Sequence, residues 1–148
     1  MAIDRANPQN YPPNIQAILK RPAPAAELMG QELVDVDAEA GRVVVAYNAS
    51  DRLANRFGAI HGGMTAAMMD DVISLAAGLT IEWGQITPTL EMKVSYIRQG
   101  KPGTRLIAEA RTIRRGKSVV FLEADLKDEA GALIATASST IAISQMKR

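Results

Sequence analysis

The chain has no cysteine and only one histidine. A disulfide framework and thiol chemistry are therefore excluded. A zinc site draws on several Cys and His donors, so no metal site is expected. No apolar run approaches the roughly 18 residues that a membrane-crossing helix needs, so no membrane partner is expected. The segment Met-Ala-Ile-Asp-Arg-Ala-Asn-Pro at the start lacks the apolar stretch of a secretory signal. Together with the missing cysteines, this leads to the expectation of a cytoplasmic protein. Charge of one sign is also lacking: 17 Lys and Arg face 16 Asp and Glu. That balance gives no footing for nucleic acid or an anionic membrane surface. Internal repeats and low-complexity tracts are absent as well.

The 148 residues are enough for one domain, which buries about 70% of its unfolded surface. Residues 1–13 hold three prolines and read as an arm. A short helix follows, capped by Asn14 and running to Lys20, before Arg21-Pro-Ala-Pro breaks it. The expected division is residues 1–30 as an arm with a short helix and 31–148 as the domain proper.

One stretch dominates that domain. From Asn55 to Gly78 a loop passes into the only long helical pattern of the chain. Met64, Ala67, Met68, Leu75 and Leu79 form one apolar stripe, and Ala66, Ile73 and Ala77 form another. Asp70 shares the second stripe, so a buried carboxylate is expected there, paired or functional. Asp71, about 100° further round the helix, reads as solvated or salt-bridged. At the start of the helix, Gly62 and Gly63 follow His61. Residues without Cβ admit a close approach to the backbone. The first amides of a helix are unpaired and lie at its positive end, where an oxyanion can be held. Asn55 adds an amide side chain. Eight residue steps separate Gly62 from Asp70, roughly 12 Å along a helix. Both cannot reach one carbonyl within a chain, so a two-fold dimer with antiparallel helices is expected to join them.

Strand patterns flank the helix. Residues 33–37 and 42–48 read as a pair joined by a turn. After the helix, Leu90, Met92, Val94 and Tyr96 alternate with Glu91, Lys93 and Ser95, giving one buried and one wet face. Residues 104–114, 118–127 and 132–143 complete the series, with Arg115-Gly-Lys117 as a hairpin connection. Two strands, one long helix and four antiparallel strands make an α+β layer arrangement whose sheet edges invite a second copy.

This order resembles the hotdog fold, an antiparallel sheet wrapped around one central helix. The pattern Asn55-x-x-Gly58-x-x-His61-Gly62-Gly63 followed by Asp70 is similar to that of phenylacetyl-CoA-type (PaaI-like) acyl-CoA thioesterases. The resemblance covers about residues 33–143 and includes Glu91 to Tyr96, Arg114 to Val119 and the final Ala-Thr-Ala-Ser strand. It implies hydrolysis of an acyl-CoA thioester. The Gly62 amide and the Asn55 side chain would polarise the carbonyl. Asp70 of the facing subunit would activate water or attack as a nucleophile. Thr89, where relatives often carry serine, would hold the water. Gly63 would contribute to substrate binding, and Arg114, Arg115, Lys117 and Ser118 would meet the CoA phosphates. No cofactor is implied, since coenzyme A is part of the substrate, and the implied assembly is a dimer of dimers.

Each residue also has a structural role to weigh. His61, a catalytic candidate by the same resemblance, reads first as a helix-start residue bonded to backbone, and Asn55 as one that could fix its own turn. Gly62 could serve tight packing, and the basic turn could be a solvated hairpin tip. Met64, Met68 and Met69 read as core. Two rival functions use the same fold. A hydratase or dehydratase would need its histidine elsewhere than at the helix start. A non-catalytic acyl-CoA-binding module would have no use for Asp70.

Overall fold

The computed structural model describes residues 3–4 and 7–146. Residues 1, 2, 5, 6, 147 and 148, which include parts of the expected N-terminal arm, lie outside the described residues.

The elements run α1 (Pro13–Lys20), α2 (Pro24–Leu28), β1 (Gln31–Asp37), β2 (Arg42–Asn48), α3 (Gly62–Gly78), β3 (Gln85–Ile86), β4 (Thr89–Tyr96), β5 (Arg105–Arg115), β6 (Val119–Asp128), β7 (Leu133–Ala142) and β8 (Ser144–Gln145). Six strands form one antiparallel sheet in the order β1-β2-β5-β6-β7-β4. Two residues of β3 pair with two of β8 beside it. The large sheet curls around α3, which touches β2, β4, β5, β6 and β7. This is the hotdog arrangement. No helix among the described residues is long and apolar enough to cross a membrane.

The β-prone run of β2 supplies Val43, Val45 and Tyr47 to the core, each fully buried. Alternation along β5 and β6 adds Leu106, Ala108, Ala110, Val120, Leu122 and Leu126 from the same face of the sheet. Tyr11, Ile15 and Met29 from the N-terminal segment join this one cluster. Asn14 does not cap α1, which starts at Pro13 after the N-cap Pro12. Its side-chain amide instead donates to the Gly78 carbonyl at 2.8 Å, closing the far end of α3.

The buried face of α3 runs through Thr65, Met69, Val72 and Ala76, flanked by Met68, Ile73, Leu75 and Ala77. It lies between the two stripes expected from the sequence. Ala67, Asp70, Asp71, Ser74 and Gly78 are half-buried. The expectation of a buried Asp70 is thus corrected: the sheet stops at β4 and leaves that flank of the helix uncovered.

The alternation of β4 is corrected on the same ground. Leu90 is 61% exposed and Tyr96 54%, because β4 is an edge strand whose apolar face this chain does not cover. β5 and β6 also differ slightly from expectation. β5 continues to Arg115, with a bulge between Thr112 and Arg114 that leaves Ile113 exposed.

Candidate active site

The loop before α3 is built around Asn55. Its Oδ1 accepts from the backbone amides of Phe57 at 2.9 Å and Ala59 at 3.3 Å. The Gly58 amide donates to the Asn55 carbonyl at 3.0 Å. Gly58 sits at φ +80°, a left-handed conformation that favours glycine, which explains that position of the motif. Asn55 therefore does fix its own turn. The same bonds decide which way its amide faces. With Oδ1 committed to two N–H donors, Nδ2 is left as a donor with no partner among the described residues.

Helix α3 starts at Gly62, with His61 as its N-cap. His61 Nδ1 accepts from the Gly63 amide at 3.0 Å. The His61 carbonyl accepts from Met64 at 2.8 Å and from Thr65 at 3.0 Å. A helix leaves its first four amides without helical partners. With the His61 amide donating to the Leu53 carbonyl at 2.8 Å, three of those four are taken, and the Gly62 amide alone among them donates no bond to the described residues. It lies at the positive end of a 17-residue helix. The nearest atoms a Cβ at Gly62 would meet belong to the Tyr96 ring, at 3.6 Å, an ordinary contact. Packing therefore does not demand glycine there. Asn55, Gly62, Thr65, Tyr96 and Arg98 line one cavity at this helix start.

Asp70 is not part of that cavity. It lies two turns further along the uncovered flank of α3. Thr89, the first residue of β4, donates to its Oδ1 at 2.8 Å. The structure thus joins Asn55 to Gly62 and Thr89 to Asp70, and keeps the two pairs apart within one chain. The acceptor role of His61 matches its expected structural reading. Gly63 is engaged through its amide with the same ring.

Asp71, expected to be solvated or salt-bridged, is half-buried and held by neutral hydrogen-bond donors. Its Oδ2 accepts from the Tyr47 hydroxyl and the Gln31 side-chain amide, both at 2.6 Å. Burial pushes its carboxyl above the ordinary range, and the charge of Asp70 adds to the rise. The Tyr47 and Gln31 bonds act the other way, by favouring the charged form. Burial first, then the Asp71 charge, pushes the Tyr47 phenol well up. Helical spacing alone could not tell these two carboxylates apart, since the answer depends on where the sheet ends.

The basic turn lies at the opposite end of α3. Arg114, Arg115, Lys117 and Ser118 are all exposed. Arg115 Nε donates to the Thr80 carbonyl at 3.3 Å, just past the helix. Sequence reasoning did not assign the Tyr96 hydroxyl, which donates to the Gly62 carbonyl at 2.9 Å. Its strand spacing marked it only as an inward-facing residue. No group of three or more His, Asp or Glu side chains that could hold a metal occurs among the described residues.

A family model described as the thioesterase superfamily matches residues 57–135, which contain every candidate site residue except Asn55. Over 106 residues the chain is 30% identical to acyl-coenzyme A thioesterase 13 of Homo sapiens, covering 71% of this chain and 75% of that protein. It is 29% identical over 122 residues to the 1,4-dihydroxy-2-naphthoyl-CoA hydrolase of Listeria monocytogenes serotype 1/2a (strain 10403S), covering 82% and 97% respectively. Among solved structures, a phenylacetic acid degradation-related protein from Ralstonia eutropha JMP134 superposes with a TM-score of 0.78 at 36% identity. That match covers 83% of this chain and 92% of the other.

Proposed function

The chain belongs to the thioesterase superfamily and is a thioester hydrolase, and we propose that it cleaves an acyl- or aryl-CoA thioester to the free acid and CoA at sites shared between two subunits. The observation that carries the proposal is the division of the site. Gly62, whose amide is unbonded, and Asn55, whose Nδ2 is unbonded, line one cavity, while Asp70 and Thr89 stand together elsewhere on the uncovered flank of α3. A second chain laid antiparallel over that flank brings each Asp70 to the other chain's Gly62 and makes two equal sites.

In such a site the thioester carbonyl oxygen sits on Gly62 N–H and Asn55 Nδ2. Both donors are aimed before the reaction starts, so they favour the developing oxyanion over the neutral carbonyl. Asp70 takes a proton from water, and the hydroxide adds to the carbonyl carbon. Collapse of the tetrahedral oxyanion breaks the C–S bond, and the thiolate of CoA leaves. If Asp70 attacks directly, an anhydride forms with loss of the thiolate, and water then releases the acid. In either route the Thr89 hydroxyl holds Oδ1 and leaves Oδ2 of Asp70 facing the substrate. No metal or organic cofactor takes part. The pantetheine arm would carry the CoA phosphates to the exposed cations Arg114, Arg115 and Lys117 and the Ser118 hydroxyl. The proposed assembly is a dimer of dimers, which would cover the apolar face of β4. A cytoplasmic location is part of the proposal.

The test is release of free thiol from a panel of acyl- and aryl-CoAs, read with a colorimetric thiol reagent, for the natural chain beside Asp70→Asn. The chain has no cysteine, so the protein contributes no background. Asp70-dependent release supports the reading and ranks the acyl groups. If CoA raises Tm but no thioester releases thiol, the chain is a binding module instead.

A further inference from the structure

The peptide unit between Gly62 and Gly63 is held at both ends. Its carbonyl accepts from the Tyr96 hydroxyl at 2.9 Å, and its N–H donates to His61 Nδ1 at 3.0 Å. The preceding peptide, between His61 and Gly62, is held only through its carbonyl, by the Met64 and Thr65 amides at 2.8 and 3.0 Å. Its N–H is the unbonded Gly62 amide. Two consecutive glycines are otherwise the loosest point in a backbone, because neither side chain restricts φ and ψ. A donor that stabilises an oxyanion works by being aimed in advance, and looseness there lowers its value.

We propose that Tyr96 is a positioning residue of the hydrolysis, which aims the Gly62 amide by fixing the carbonyl on the other side of the Gly62 Cα. Its partner in this task is the His61 ring. The phenol is suited to the work. It has one proton to give, and the Gly62 carbonyl takes it. The ring stands beside Gly62, within ordinary contact distance (3.6 Å) of where a Cβ on that residue would lie. Tyr96 closes the strand that Thr89 opens. One edge strand therefore holds both halves of the chemistry, Asp70 through Thr89 and Gly62 through Tyr96. This inference rests on the reading of Gly62 as the oxyanion donor.

The test compares the natural chain, Tyr96→Phe and Asp70→Asn with one acyl-CoA that the natural chain hydrolyses. The phenylalanine variant keeps the ring and loses only the O–H bond. Its kcat is expected to fall about tenfold with KM within about twofold, since a misaimed donor costs transition-state binding and not ground-state binding. A second readout uses a CoA ketone analogue with CH2 in place of sulfur and a 13C-labelled carbonyl. Binding to the natural chain is expected to lower the carbonyl stretching frequency, and Tyr96→Phe is expected to return part of that shift. Natural kcat and an unchanged carbonyl shift in Tyr96→Phe would overturn the proposal. A rise in KM alone would also overturn it, by making Tyr96 a contact for substrate binding. Failure of the analogue's carbonyl frequency to fall on binding the natural chain would instead remove the reading of Gly62 on which the proposal rests, and near-natural turnover by Asp70→Asn would remove the role proposed for Asp70.

Discussion

The two flanks of α3 are built for different ends. On the flank toward β1 and β2, Asp71 accepts from Tyr47 and Gln31, and the Tyr47 hydroxyl also lies 2.9 Å from the Met68 carbonyl. These polar atoms have partners, and the Tyr47 side chain is fully buried. On the flank toward β4 the side chains are half-exposed. The Gly62 amide and Asn55 Nδ2 have no partner among the described residues, and Asp70 has only Thr89. Consecutive residues of one helix, Asp70 and Asp71, thus fall into opposite environments. Satisfied buried polar groups stabilise a fold, whereas unspent donors and an accessible carboxylate are what a reaction needs. The contrast separates the residues that should matter for turnover from those that should matter for stability.

The sharpest break of this contrast is Asp70→Asn. Turnover is expected to fall about 10²- to 10⁴-fold, the usual contribution of a positioned general base. Unfolding should stay nearly unchanged, since only the Thr89 bond is altered. Steady-state thiol release beside a urea titration checks both halves. Gly62→Ala comes next. The added Cβ meets the Tyr96 ring at 3.6 Å, so stability should hold within about 1 kcal/mol. A methyl at the carbonyl site should lower kcat/KM about 10²-fold by displacing the substrate. A large drop in Tm without that loss would move Gly62 to a packing role.

On the other flank, Asp71→Ala is expected to cost about 1–2 kcal/mol of stability, because Gln31 loses its acceptor and Tyr47 keeps only the Met68 carbonyl. The folded protein should keep most of its kcat. Asp71 also carries a pH signature. Its carboxyl binds a proton more tightly in the folded chain than in the unfolded one, because burial dominates. Between the ordinary carboxylate range and its raised folded value, the folded state therefore holds more proton. Stability falls as pH rises through that window and is level above it. Urea unfolding of the natural chain minus that of Asp71→Asn, from about pH 4 to about pH 7, should show a natural-chain advantage that shrinks with rising pH. The smallest effect belongs to the helix end. Asn14→Ala removes the 2.8 Å bond to the Gly78 carbonyl and should cost about 1 kcal/mol, read as a small drop in Tm with turnover unchanged.

Much of this was legible from residue order. The helix and its six principal strands follow from periodicity and turn chemistry, which are local. Capping by His61 and the Asn55 turn were also legible, since both bond within a few residues. The roles of Asn14, Asp71 and Tyr96 were not. Their partners lie 64, 24 and 34 residues away. No local pattern encodes pairings at those distances.

By itself the sequence determined that α3 forms, that it starts at a pair of glycines beside a single histidine, and that a carboxylate follows eight positions after Gly62. Helical rise then put the amide and the carboxylate too far apart for one carbonyl, whatever the fold. Only the tertiary structure decided which flank of the helix the sheet leaves uncovered. That choice depends on where the sheet ends, at edge strand β4, and it is why Asp70 stands open beside Thr89 while Asp71 is enclosed by Tyr47 and Gln31.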